Sequence, residues 1–517
     1  MNRLWARARL NKKTNRLIAK VFLAKAISAV AIVATTFGVV YFGANDPASA
    51  LPSYARQTGA ACGACHTDFP ALTPFGREFK LGGYTMGGGK FRSTLFPQGD
   101  PAKTSESKLP TKAPSSDTSQ INPYAPPISM MAIVGFTHTQ ASQDPTGSPY
   151  SSNDNVVVAP VSLFYGGAIT DHIGAFAQLT YNNARFGAQD PANPNTSKLW
   201  TWDNTDVRYA NKGMLGGMNF VYGITANNNP SVQDAWNTTP AWRFPYAVSN
   251  IAPTPGAGTL VDGAFASHVG GVGAYAWINS LVYLELSGYR TINPNVQTKL
   301  GADPFRSPGM FDGVSPYWRI AVEPHWGNHW LEFGAFGMSA RVHPWTFATD
   351  PSGFYTNDTF TQTDRYNDVA FDTQYQYQGP NYWITLRGVY IHENQTLDAT
   401  FANGLSTNPT NVLNTLRMSA SLAYGNDNRI VLTGHYFDTW GTSDPLLYAA
   451  NTSGLSPNSN GFIAEIAYIP FSSSVAPVWP WANARIGLQY TYYNKFDGTT
   501  LNAHDNNSIF LHAWIAM

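Results

Sequence analysis

The sequence predicts an all-β fold: a transmembrane antiparallel β-barrel of roughly 16 strands, preceded by a small N-terminal module. Three observations predict it. The first is composition, with 43% hydrophobic, 14% aromatic and only 12% charged residues beside 45 Gly and 35 Pro. That balance suits strands and turns better than salt-bridged helical surfaces. The second is alternation, and the third is a regular alternation of short and long connections. A mean hydropathy of -0.22 excludes a bundle of continuous apolar membrane helices.

The alternation sets one apolar face against one mixed face over segments of about ten residues. Val282, Leu284 and Leu286 oppose Tyr283, Glu285 and Ser287, and Trp318, Ile320 and Val322 oppose Arg319, Ala321 and Glu323. Leu416, Met418, Ala420 and Leu422 oppose Arg417, Ser419 and Ser421. In 173–182, Phe176 and Gln178 share the mixed face. A soluble sandwich alternates too, so the connections decide. Short turns fall near Asp171, Asn211-Lys212-Gly213, Asn279-Ser280, Gly327-Asn328, Gly379-Pro380-Asn381 and Gly425-Asn426-Asp427. Between them lie long connections at 226–267, 293–315, 343–364 and 394–411. A barrel in the outer membrane places the short turns in the periplasm and the long loops outside.

One turn, 471–481, is long where a short one is expected. Trp326, Trp330, Tyr490, Tyr492 and Tyr493 sit near strand ends, as interfacial girdles do. Glu285, Arg319, Glu323, Arg387, Arg417, His435 and Arg485 fall on the inward face, where polar lining and internal ion pairs are the ordinary role. The stretch from Trp202 to Tyr209 is the densest polar strand and the best socket for the N-terminal module.

The chain opens with eight Lys and Arg in its first fifty residues, an uncharged run from Ala26 to Phe42, and Ala48-Ser49-Ala50. This pattern is an export signal peptide over 1–50, with an uncleaved anchor helix as the alternative. The remaining residues carry 24 Lys and Arg against 31 Asp and Glu. That acidity disfavours nucleic acid as a partner and mildly favours cations. Residues 51–98 form the module, 99–127 a linker rich in Pro, Ser, Thr and Lys, and 128–517 the barrel.

The two cysteines of the chain lie in Cys62-Gly63-Ala64-Cys65-His66. C-x-x-C-H is the spacing of covalent haem attachment, in which two thiols add to the haem vinyl groups and the adjacent imidazole meets the iron. A disulfide is the ordinary expectation for an exported pair. A zinc site wants a fourth ligand, and a thioredoxin-like pair wants a surrounding βαβ pattern. Cys62, Cys65 and His66 are therefore expected to bind one haem c, with His66 as an axial iron ligand. Met86 is the nearest thioether for the second axial position. A packing role for Met86, a barrel histidine such as His138, or water are the alternatives. A segment this short cannot enclose a haem with its own core, so the barrel must supply the missing wall.

Leu51-Pro52-Ser53-Tyr54-Ala55-Arg56-Gln57-Thr58-Gly59, the haem motif, Phe69-Pro70 with Leu72-Thr73-Pro74-Phe75-Gly76-Arg77, Phe79-Lys80 and Gly83-Tyr84 resemble the outer-membrane monohaem cytochrome-porin fusions. The resemblance is specific over 51–84 and architectural over the barrel. It implies haem within or beneath the pore and electron transfer across the outer membrane. The donor would be extracellular, such as iron(II), and the acceptor a soluble periplasmic cytochrome or similar carrier. If enzymatic, the activity would be that of an iron(II):cytochrome oxidoreductase, with no catalytic acid or base. The rival reading is a diffusion porin whose haem module is a plug or sensor without net electron flux.

Overall fold

The computed structural model describes residues 51–85, 126–143, 151–181, 200–351, 355–425, 427–448 and 455–517. Residues 1–50, expected to be a signal peptide, most of the expected linker and Met86 lie outside the described residues.

Eighteen hydrogen-bonded segments form one sheet, ordered by nearest neighbours and antiparallel throughout. They are β3 (Ile128–Thr139), β4 (Asn155–Ala168), β5 (Ile173–Tyr181), β6 (Trp200–Leu215), β7 (Met218–Asn227), β8 (Val269–Ile278), β9 (Val282–Thr291), β10 (Gly309–Phe311), β11 (Ser315–Val322), β12 (His325–Trp326), β13 (His329–Pro344), β14 (Asp364–Gln378), β15 (Tyr382–Thr396), β16 (Thr410–Tyr424), β17 (Ile430–Gly441), β18 (Ser459–Tyr468), β19 (Asn483–Lys495) and β20 (Ser508–Ala516). β10, β11 and β12 pair successively along β13, so they make one interrupted stave. β20 pairs with β3 from Ser508↔Thr139 to Ala516↔Met131 and closes the sheet. The result is a closed barrel of sixteen staves, as the sequence predicts, and closure leaves no open strand edge.

Alternation is resolved as expected. On β9, Leu284 and Leu286 are exposed outward while Tyr283, Glu285 and Ser287 are buried inward, and on β11 Ile320 and Val322 face out while Arg319 is fully buried. Leu386, Met418, Leu432, Ile466 and Leu488 continue the outward aliphatic band across the neighbouring staves. A band of this kind around a closed barrel suits lipid and not water. All seven inward polar residues named from the sequence face the interior.

The short connections cluster at one end of the barrel and the long ones at the other. Asn279 and Ser280 turn with φ of 51° and 54°, the left-handed pair that a two-residue hairpin requires. The turn expected at Asn211-Lys212-Gly213 lies further on, because β6 runs to Leu215 and reverses at Gly216 and Gly217, with φ of 57° and 80°. Glycine occupies those conformations without steric cost. The aromatic girdle is also smaller than expected. Trp326 and Tyr490 face outward, but Trp330 and Tyr493 are buried inside, on Trp383 (5.7 Å between ring centroids) and Phe437 (5.6 Å).

The largest departure is residues 228–268, which join β7 to β8. Their position in the loop pattern predicts an external loop, yet they fold into the lumen. Trp236 donates from Nε1 to Glu323 (2.7 Å) and Asp234 lies 3.5 Å from Arg319. Four aromatic side chains, Trp236, Trp242, Phe244 and Tyr246, give this loop apolar surface that water would not cover, so it packs inward.

Candidate functional site

The module begins with α1 (Pro52–Thr58), which Gly59 ends in a left-handed cap with φ of 67°. α2 (Cys62–Cys65) is a single turn that places both thiols on one face. His66 leaves that turn in extended backbone and opens the small hairpin β1 (His66–Asp68) and β2 (Ala71–Leu72). α3 (Pro74–Leu81) follows, with Pro74 in its first turn and the Thr73 hydroxyl accepting from Gly76 N–H, a standard cap. The same hydroxyl donates to Ala64 O at 2.6 Å. One threonine thus fixes α3 against the cysteine turn.

This module sits inside the short-turn mouth of the barrel. Gln57 bridges the edge of β4, donating to Gly166 O and accepting from Ala168 N, both at 3.0 Å. Arg56 donates to Pro126 O and Ile128 O, and its guanidinium lies 5.0 Å from the Trp481 ring. Gly63 N–H donates to Ser472 O at 3.2 Å, and the Asn428 amide donates to His66 O at 2.9 Å. The long turn at 469–482, unexplained by the loop rule, therefore clasps the cysteine turn.

Further along the module, Arg77 pairs with Glu323 and donates to Gln376 at 2.6 Å. Tyr84 donates to Asp206 at 2.7 Å, and Arg208 reaches back to Lys80 O at 3.4 Å. The polar stretch of β6 is thus a socket for the module, as its density of inward polar groups suggests. Asp68 is gripped by Arg485 from β19.

Between module, inward loop and wall lies a cavity of ≈ 330 Å³, within the range of small-molecule and cofactor sites. Cys62, Cys65 and His66 open onto it together. Both cysteines are free thiols in this structure. The barrel contributes Met131, Phe164, Phe176 and Trp514, the loop contributes Trp242 and Tyr246, and the module itself supplies Phe69 and Phe79. His66 directs Nδ1 toward Pro70 O at 3.2 Å. With that nitrogen bonded to a carbonyl, Nε2 is the ring nitrogen suited to a metal. Burial pulls the His66 imidazole down to about 4, and a neutral ring is the form that binds a metal. Burial pushes Cys62 up to about 11 and Cys65 up to about 12, keeping both as protonated thiols. Among the described residues, three cations and no carboxylate line the cavity. An aromatic, cationic chamber beside C-x-x-C-H fits a haem, which is planar, apolar and anionic at its propionates.

His138 is elsewhere. It meets Asp154 at 2.6 Å near the long-loop end of β3 and does not line the cavity. Sequence reasoning missed Met131, Trp242, Arg243 and Tyr246. Met131 looked like any inward strand residue, while the aromatic content of 236–246 was the available signal for the other three.

The barrel is similar to outer-membrane porins. OprB of Pseudomonas putida is 12% identical with a TM-score of 0.45, covering 75% of this chain and 92% of that one. OmpF of Salmonella typhi, in a complex with daunomycin, is 13% identical with a TM-score of 0.42, covering 75% and 97%. The channel DcaP of Acinetobacter baumannii is 11% identical with a TM-score of 0.40 over the same shares. No family model matches the chain, and no curated protein matches it.

Proposed function

We propose that this chain is an outer-membrane cytochrome-porin that carries single electrons from an extracellular donor, iron(II) being favoured, to a soluble periplasmic carrier. One covalently attached haem c would be held by Cys62, Cys65 and His66. The observation that carries this reading is that all three residues open on one cofactor-sized, aromatic and cationic cavity enclosed by the barrel.

When bound, the haem supplies a one-electron redox centre. Everything else falls to the chain. Cys62 and Cys65 would hold the haem through thioether bonds, each formed by adding S–H across a vinyl group with no by-product. His66 would offer Nε2 to the iron, its ring oriented by Pro70 O. Among the described residues Met131 is the thioether on the cavity wall, and either it or Met86 would supply a sulfur ligand. The apolar walls exclude water, which shifts the redox potential. A one-electron transfer needs no general acid or base. The donor loses one electron, iron(II) becoming iron(III), and the periplasmic acceptor gains it.

The seam from Arg77–Glu323 through Tyr84–Asp206 favours this conduit over a haem-plugged diffusion porin. It fills lumen that a diffusion channel keeps open. The test uses proteoliposomes holding the intact protein with external iron(II). Reduction of the haem from outside, and loss of cellular iron(II) oxidation in Cys65→Ala with solute permeability unchanged, are expected. A haem never reduced from outside contradicts the conduit and leaves the plug or sensor.

A further inference from the structure

The charge of the cavity is opposite to that of the chain around it. Residues 51–517 carry 24 Lys and Arg against 31 Asp and Glu, yet the charged groups on the cavity wall are Lys80, Arg243 and Arg485. These three differ in how they are neutralised. Arg485 is matched by Asp68 and Glu465. Lys80 donates to Val232 O and Asp234 O at 2.8 and 2.6 Å and lies 4.5 Å from the Trp242 ring.

Arg243 is in a different position. Its carboxylate partner is Asp262, and Asp262 is shared with Arg417, whose Nη2 lies 3.0 Å from Oδ2. Two guanidinium groups therefore share one carboxylate, and Arg243 keeps 27% of its side-chain surface accessible, which leaves it donors to offer an anion in the cavity. Arg243 reaches the cavity from the inward loop, while Cys62 enters it from the short-turn mouth, where Gly63 bonds Ser472. In any haem the two propionates project from the edge opposite the vinyl groups. A haem tethered at Cys62 and Cys65 therefore extends its anionic edge away from the mouth and into the lumen.

We propose that Arg243 is the haem-propionate anchor of this chain, with Asp262 and Arg417 as positioning residues that aim its guanidinium and set how much charge it presents. This rests on the haem reading above and extends it by naming the residue that receives the anionic edge. The assignment also orients the group. The thioether edge faces the periplasmic mouth and the propionate edge faces the lumen.

Cationic charge beside the haem favours its reduced form, which carries one positive charge fewer. In the full-length protein with its haem attached, Arg243→Gln is expected to shift the midpoint potential downward. Asp262→Asn, which frees Arg243 from its carboxylate, is expected to shift it upward. Both should move the propionate bending band in the resonance Raman spectrum. Arg365→Gln serves as control, because Arg365 and its partner Asp398 are exposed at the long-loop end, and it should move neither. Opposite shifts are not what general loosening of the lumen would give. The anchor is overturned if fully haem-loaded Arg243→Gln and Asp262→Asn keep the wild-type potential and Raman band, or if both shift the same way. Wild-type protein without covalent haem would instead overturn the reading beneath it.

Discussion

Arg485 grips Asp68 through two parallel bonds, Nε to Oδ1 and Nη2 to Oδ2, each 3.1 Å long. One partner lies two residues past His66 and the other on the nineteenth strand, 417 positions away. Both side chains are nearly without solvent contact, and Arg485 also holds Glu465 at 2.5 Å. This fork is one of the buried contacts that join the module to the barrel wall, beside Arg77–Glu323 and Tyr84–Asp206.

Replacing Arg485 with Met leaves two carboxylates buried without their cation. Breaking a buried pair from one side costs about 3–5 kcal/mol, so Arg485→Met is expected to release the module while the barrel stays closed. Limited proteolysis in detergent should cut 51–85 in the variant and not in the wild type, with heat-modifiable migration of the barrel retained. Equal protection in both proteins would mean the fork does not hold the module.

Tyr84→Phe offers a graded comparison. It removes a donor from Asp206, which keeps Arg208 and Thr225 as partners. Losing one hydrogen bond to a charged group costs about 1.5–3 kcal/mol, less than the fork. The same proteolysis should place Tyr84→Phe between the wild type and Arg485→Met.

Gly76→Ala tests the packing of α3 on the cysteine turn. A Cβ there would lie 2.3 Å from Cys65 O and 3.0 Å from a Leu72 methyl. Backbone cannot yield as a flexible side chain does, and overpacking of this kind costs about 1–3 kcal/mol. The expected outcome is a sharp fall in haem attachment, read by haem staining of the purified chain. Gly59→Ala meets no atom within 4 Å and carries only the strain of its left-handed φ, so attachment should be nearly intact.

The axial ligands separate by spectroscopy. His66→Gly should lose the low-spin spectrum while Cys62 and Cys65 retain the porphyrin. Of Met131→Leu and Met86→Leu, only the variant that removes the true ligand should abolish the thioether-to-iron charge-transfer band. If neither changes that band, or none exists in the wild type, the second axial position is not a thioether.

Much of the architecture was legible in the sequence because a barrel writes its rules locally. Each stave alternates, so Glu285, Arg319 and Arg485 declare themselves inward one residue at a time, and closure follows from their number. The motif was legible for the same reason, its three groups lying within five residues. The cavity was not. Its walls come from Met131, Trp242 and Trp514, brought together by a loop that turns inward and by closure of β20 on β3. No spacing rule links such positions. The aromatic content of 236–246 was the one local sign that this loop seeks burial, and the long turn at 469–482 broke the loop-length rule because it grips the cysteine turn.

The haem content of the purified chain is the most direct measure of what Cys62, Cys65 and His66 hold. An alkaline pyridine spectrum of the exported protein, read with protein concentration, should give one haem c per chain, and none in a Cys62→Ala, Cys65→Ala double variant that still forms a barrel. A wild-type protein folded in the outer membrane with no covalent haem would contradict it.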